Sequence, residues 1–473
     1  MSSAINEERT AHNQEPSLRR VMGTKLLLLF IIGDILGTGV YALTGDVAAE
    51  VGGAAWAPFA VAFIVALITA CSYLELVTKY PQAAGAALYT HKAFGIHFIT
   101  FLVTFTVMSS GITSASTASR AFAANLVSGF KLDEENTTLI LIIALAFMAL
   151  VAAINYRGVA ESVKANVVLT CIELTGLLIV ILVGLWVVVG GDADWGAVTA
   201  FDTPEDKSIF LAVTTATSLA FFAMVGFEDS VNMAEETKDP SRIFPKVMLT
   251  GLSITGLIYI LISISAVAIV PVGRLAASDT PLLEVVREGA PGLPMDEIFP
   301  FISMIAVANS ALINMLMASR LLYGMAKQHV LPPQLGKVHP ERRTPWVSIL
   351  FTTALAVCLI TYVSNASDDA VSILGGTTAL LLLAVFTVVN IACLVLRRDD
   401  VQHDHFRAPT LLPVIGALAC AYLVTPLSGR DAEQYTVAGI LLVVGVVLWA
   451  LTRVLNKRLG TGQPAELDPT QLR

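Results

Sequence analysis

The chain has 473 residues, 55% hydrophobic and 14% charged, with a net charge of −8 and a mean hydropathy of +0.74. Soluble domains carry about 25% charged residues, so a water-soluble globule is excluded. The acidic balance and scattered basic residues argue against a nucleic-acid partner. The cysteines Cys71, Cys171, Cys358, Cys393 and Cys420 all lie in apolar runs, where they read as small core residues rather than a disulfide or metal set.

Residues 1–17 are polar and lack an apolar core, so no cleaved signal peptide is expected. Apolar stretches then recur at 25–51, 54–77, 93–125, 138–155, 162–190, 208–236, 245–270, 297–324, 346–363, 369–396, 410–427 and 434–456. A helical crossing takes roughly 20 apolar residues and a barrel strand about 10. The reading is therefore an all-α integral membrane protein with twelve transmembrane helices, its partners the lipid bilayer and a small solute. An even number of crossings puts both termini on one side. With that side cytoplasmic, only Arg120, Lys131, Lys207, Arg274, Arg287 and Arg430 of the 29 basic residues fall outside. The positive-inside rule thus predicts cytoplasmic termini in the plasma membrane.

Two of these stretches are unusual. The first contains Gly33-Asp34-Ile35-Leu36-Gly37-Thr38-Gly39-Val40-Tyr41, which puts glycines and an acid at bilayer depth. The sixth runs apolar to Val225, meets Gly226, and then carries Glu228, Asp229, Asn232, Glu235 and Glu236. Small residues in a span can simply serve close helix packing. Here, however, the two interrupted stretches open two five-span blocks, which is the pattern of an inverted-repeat transporter with discontinuous helices 1 and 6. The organisation expected is a tail (1–20), a first repeat (21–190), a second repeat (206–398), helices 11 and 12 (408–457), and a second tail (458–473).

A helix broken in the membrane frees backbone groups that lipid cannot satisfy, so a break must line a cavity or meet a ligand. The half-helix starting after Gly39 points its positive end inward, which suits a carboxylate. The carbonyl ends near Gly37 and Val225 suit an ammonium. A zwitterion of the α-amino-acid type matches both.

The residues resemble the amino acid–polyamine–organocation transporter superfamily, amino acid permease branch. The resemblance rests on the first-span glycine segment and on Phe222-Ala223-Met224-Val225-Gly226-Phe227-Glu228 with the following Ala234 to Pro245. It rests also on Arg320-Leu321-Leu322-Tyr323-Gly324-Met325-Ala326 and on Tyr80-Pro81 with Gly85-Ala86. It covers roughly residues 20–400 and implies a LeuT-type fold of 5+5 inverted repeats that transports amino acids or related amines. By that resemblance Ile35, Thr38 and Gly39 hold the substrate carboxylate, the Ala223 and Val225 carbonyls with Gly226 hold its amine, and Phe222 is an aromatic gate.

An acid at the centre of a span costs about 2.5–3.5 kcal/mol, so each needs a partner or a cavity. Asp34 adjoins the first break and either favours a cationic side chain, carries a proton, or caps freed N–H groups. Glu228 follows the second break and matches the family's acidic residue, a link from bound substrate to the cytoplasmic half. Glu173 stands in span five where proton-coupled relatives often have a lysine and the sodium-coupled branch holds its ion. Proton coupling through Glu173 or Glu228 is the expectation, with sodium held by groups such as Thr38 and Ser310, or substrate exchange, as the alternatives. Glu75 reads as structural, and Glu235 and Glu236 as a solvated helix end. With no HExxH and no GxxxxGK[ST] sequence, neither metal nor nucleotide cofactor nor catalytic residue is expected. A channel would repeat a filter or charged ring, and a sensor would add a soluble domain; the chain offers neither.

Overall fold

A computed structural model describes residues 22–82, 85–158, 163–191, 193–204, 207–367, 369–458 and 467–469. The N-terminal tail and most of the C-terminal tail lie outside the described residues. The first span is two helices, α1 (Thr24–Ile35) and α2 (Thr38–Val51), bent by 41°. Then follow α3 (Trp56–Lys79), the short α4 (Gly85–Phe94), α5 (His97–Gly129), α6 (Thr137–Arg157), α7 (Val163–Gly190) and α8 (Trp195–Thr199). The sixth span begins as α9 (Ile209–Ala220) and continues in tight 3₁₀ turns at Phe221–Met224 and Asp229–Glu236. The remainder comprises α10 (Pro240–Ile269), α11 (Val272–Ala276), α12 (Pro281–Gly289), α13 (Met295–Lys327), α14 (Trp346–Ala366), α15 (Ala370–Leu396), α16 (Leu411–Val424) and α17 (Ala432–Arg458).

Among the described residues, ten stretches are long and apolar enough to cross a membrane, and the bent α1–α2 pair makes eleven. The eleventh expected stretch, 410–427, holds only the 14-residue α16. At 1.5 Å per residue that helix rises about 21 Å, short of the roughly 30 Å hydrocarbon core. Eleven full crossings and one short apolar helix therefore stand where twelve were expected.

The bundle is built on matched pairs. The third span (α5) packs along the eighth (α13), the second (α3) along the seventh (α10), and α2 of the first along α9 of the sixth. The outer faces of α7 and α17 present Leu182, Trp186, Val189, Val443 and Val447 to the surroundings. Such a surface is stable in lipid and not in water. Helix ends are capped locally: Asn136 accepts from the Leu139 N–H at 3.0 Å to open α6, and Pro240 takes the first position of α10, where a missing N–H costs nothing. Hydroxyls inside the spans return to their own helix, as Thr44 does to the Val40 carbonyl at 2.6 Å and Thr104 to that of Thr100 at 2.8 Å. This is how α5 carries many of its Ser and Thr residues while buried, although Ser119 bonds across to the Ala144 carbonyl of α6 at 2.9 Å.

Candidate functional site

The two breaks meet. Leu36 and Gly37 interrupt the first span, where the Leu36 N–H still reaches the Ile32 carbonyl at 2.8 Å and the Gly37 N–H turns to Ile35 at 2.7 Å. The Tyr259 hydroxyl on α10 donates to the freed Ile35 carbonyl at 2.6 Å. Gly226 has φ +122°, a backbone conformation that favours glycine. A Cβ there would stand 2.6 Å from the Asp34 carbonyl oxygen and 3.0 Å from the Ile35 N. Likewise a Cβ on Gly39 would fall 2.5 Å from the Ala223 Cα. Backbone thus lies directly on backbone, and Asp34, Ile35, Thr38, Gly39, Ala223, Val225 and Gly226 are brought into one place.

Around this contact, Gly37 faces the Ser310 hydroxyl of α13 and Gly33 faces Thr170 of α7. The Thr38 hydroxyl opens α2, is buried, and has no hydrogen-bond partner among the described residues. Phe222 is buried in the first 3₁₀ turn, its ring in contact range of Gly375 on α15. The sixth-span helix stops at Ala220, earlier than the sequence reading placed its end.

The Glu228 side chain turns back, and its Oε2 accepts from the Gly226 N–H at 2.9 Å. It is thereby the group that satisfies the donor freed by the second break. Beside it lies a cavity of about 350 Å³. Val225, Glu228, Asp229, Asn232 and Glu236 line one side, and Ser110 of α5, Asn314 and Arg320 of α13, and Thr378 of α15 line others. Asp229 therefore shares a cavity with Glu228. Glu236 lines it as well, and is no purely solvated end. The cavity reaches past Gly85 and Ala86 to the end of the bundle where Met22 joins the sixth span. There the Met22 N–H donates to Glu236 at 3.0 Å, and the Lys238 N–H donates to Met22 at 3.0 Å.

The amino acid permease profile matches residues 22–451 of this chain. The chain belongs to the amino acid permease family. It is a multi-pass membrane transporter. It is 23% identical over 466 residues to a branched-chain amino acid permease of Bacillus subtilis, covering 95% of this chain and 96% of that one. A methylthioribose transporter of Bacillus subtilis is 26% identical, with 94% and 96% covered. A cationic amino acid transporter of Arabidopsis thaliana is 28% identical over 68% of this chain and 58% of its own length. Among solved structures, a manganese transporter of Eremococcus coleocola superposes with a TM-score of 0.58 at 13% identity, over 94% of this chain and 99% of that one. The shared fold is LeuT-like.

In this permease Glu173 on α7 is fully buried, with Asn309, Tyr41 and Tyr259 around it. Among the described residues no basic side chain pairs with its carboxyl. The Tyr41 hydroxyl donates to its backbone carbonyl at 3.1 Å, which holds α7 against α2. Glu75 is structural. Its carboxylate takes two bonds from Arg397, at 2.8 and 2.7 Å, and a third from the Ala408 N–H at 2.9 Å. That hydrogen-bonded carboxylate holds the Arg397 pKa above its ordinary value. Lys79 adds a bond to the Leu396 carbonyl at 2.6 Å, so the end of α3 is clamped to the end of α15. The sequence reading missed Ser110, Asn314, Arg320 and Thr378 as cavity-lining groups. Arg320 stood only in a family motif, and the mark of the others was polarity within apolar runs, where many such residues, like Thr44, merely bond their own helix.

Proposed function

We propose that this permease carries amino acids or related amines across the plasma membrane by alternating access, with both termini cytoplasmic. The repeats are residues 21–190 and 206–398, and helices 11 and 12 (408–457) stand outside them. The observation that carries the reading is the meeting of the two broken spans at a buried Thr38 hydroxyl that has no partner among the described residues, with a cavity beginning at Val225. The free N–H groups opening α2 suit a carboxylate and the carbonyls at Ala223 and Val225 suit an amine, with Phe222 as the gate. The lining acids Glu228, Asp229 and Glu236 outnumber Arg320, which favours a substrate carrying positive charge. Relatives named for branched-chain and cationic amino acids make leucine and arginine the first probes.

Coupling is assigned to a proton on Glu173. An unpaired buried carboxylate is expensive, and a proton on it removes that cost. A change of neighbours during the transport cycle then takes up or releases the proton. Sodium is the second reading, favoured by one observation: Ser310 faces the first break beside Thr38. Proteoliposomes loaded with an imposed pH gradient, then a sodium gradient, separate the two. Glu173→Gln should lose accumulation driven by the pH gradient while retaining leucine or arginine exchange. Accumulation driven by sodium alone, or an unchanged pH response in that variant, would overturn the assignment.

A further inference from the structure

Arg430 lies in the connection between α16 and α17 and is buried, only 6% exposed. Among the described residues no carboxylate pairs with it. Its guanidinium instead donates to four oxygens from separate parts of the bundle. Nε reaches the Leu423 carbonyl at 2.6 Å, Nη2 the Ser218 carbonyl at 3.3 Å, and Nη1 both the Gly376 carbonyl at 2.9 Å and the Gln434 side chain at 2.8 Å. Ser218 is in the last turn of α9 and Leu423 in the last turn of α16. A helix C-terminus carries about half a negative charge, on carbonyls that lack intrahelical partners. Two such ends converging on one guanidinium balance its charge without an acid. That is why an arginine can be buried here.

The same bonds bracket Phe222. Ser218 precedes it by one helical turn, and Gly375, next to the Gly376 that Arg430 holds, is the residue its ring approaches: a Cβ there would lie 3.2 Å from Phe222 Cδ1. The strap is reinforced where the Thr215 hydroxyl donates to the Ser428 carbonyl at 3.0 Å. It is tight as well, since a Cβ on Gly376 would collide with the Gln434 amide.

We propose that Arg430 is a positioning residue for the Phe222 gate: it sets the spacing of α9 and α15, the two backbones between which the ring sits. Helices 11 and 12, which lie outside the two repeats, thereby act on the transport path. The proposal rests on the reading of Phe222 as a gate, and the experiment separates the two. Phe222→Cys is labelled with a water-soluble methanethiosulfonate in proteoliposomes, with and without Arg430→Gln, over the background of the parental chain. If Arg430 sets the spacing, labelling accelerates about fivefold or more in the double variant, because the site opens locally without global unfolding. A rate within about twofold of the single variant overturns the proposal. If Arg430→Gln does not yield monodisperse protein, Arg430→Lys decides by the same comparison, since it keeps the cation but cannot fork across three carbonyls. Leucine and arginine uptake by Phe222→Ala is read separately. Undiminished uptake of either probe overturns the gate reading, whatever the labelling shows.

Discussion

The two broken spans solve one problem in opposite ways. The first is interrupted only at Leu36 and Gly37, with α-helix on both sides. Its glycines face protein: Thr170, Ser310 and Ala223 in turn. The second gives up α-helical structure from Phe221 to Glu236, supplies its own side chain to a freed N–H, and faces a cavity. A tight break held by neighbours can transmit a motion as a unit. A long 3₁₀ segment beside a cavity can change shape within itself, because its hydrogen bonds are fewer and poorer. The asymmetry sets a rigid break in the first span against a deformable, cavity-lining segment in the sixth.

Six substitutions at five positions test that contrast. Gly226→Ala should do most damage, because it combines a positive φ with a clash against the backbone of Asp34. The loss should be about 4 kcal/mol, enough to remove folded protein from a detergent extract. Gly39→Ala meets the Ala223 backbone and should cost about 2 kcal/mol, read as a lower melting temperature. Its neighbour Gly37→Ala meets only the end of the Ser310 side chain, which can rotate away, so its cost should stay below about 1 kcal/mol. Equal costs at these two positions would show that the first break is not held by backbone contact. This geometry also means that lost transport in a bulky Gly39 variant reports helix contact as much as substrate binding.

Glu228→Leu should cost about 1–2 kcal/mol by leaving the Gly226 N–H without an acceptor, whereas Glu228→Gln keeps an oxygen there and should melt near the parental temperature. If both melt alike, Glu228 is not the cap of the second break. Thr38→Val should have the smallest effect on stability, since it removes a buried hydroxyl that bonds nothing among the described residues. Uptake of leucine or arginine should nevertheless need about tenfold more substrate for half-maximal rate. A Val variant that melts lower but transports normally would reassign Thr38 to packing.

What the chain announces by itself is whatever the membrane imposes locally. A run of apolar residues must become a helix because lipid offers its backbone no partner. Gly37-Thr38-Gly39 or Val225-Gly226 followed by acids marks a helix that cannot continue at bilayer depth. So the helical class, the existence of both breaks and the family were legible in residues read one after another, whereas the second break opens at Ala220, before the Val225-Gly226 mark. Gly226 could be picked out from sequence. That it lies against Asp34, or that Glu228 caps it, could not, because the partner of a freed backbone group is chosen by whichever element the fold brings within 3 Å. The same holds for Glu75 and Arg397, which lie at the ends of different spans. It holds for α16, whose apolar stretch was long enough on paper but ends where Leu423 turns its carbonyl to Arg430. Arg430 itself read as one more outward-facing basic residue in a charge count. Only the convergence of two helix ends, distant in sequence and adjacent in space, makes it a buried cation with a task.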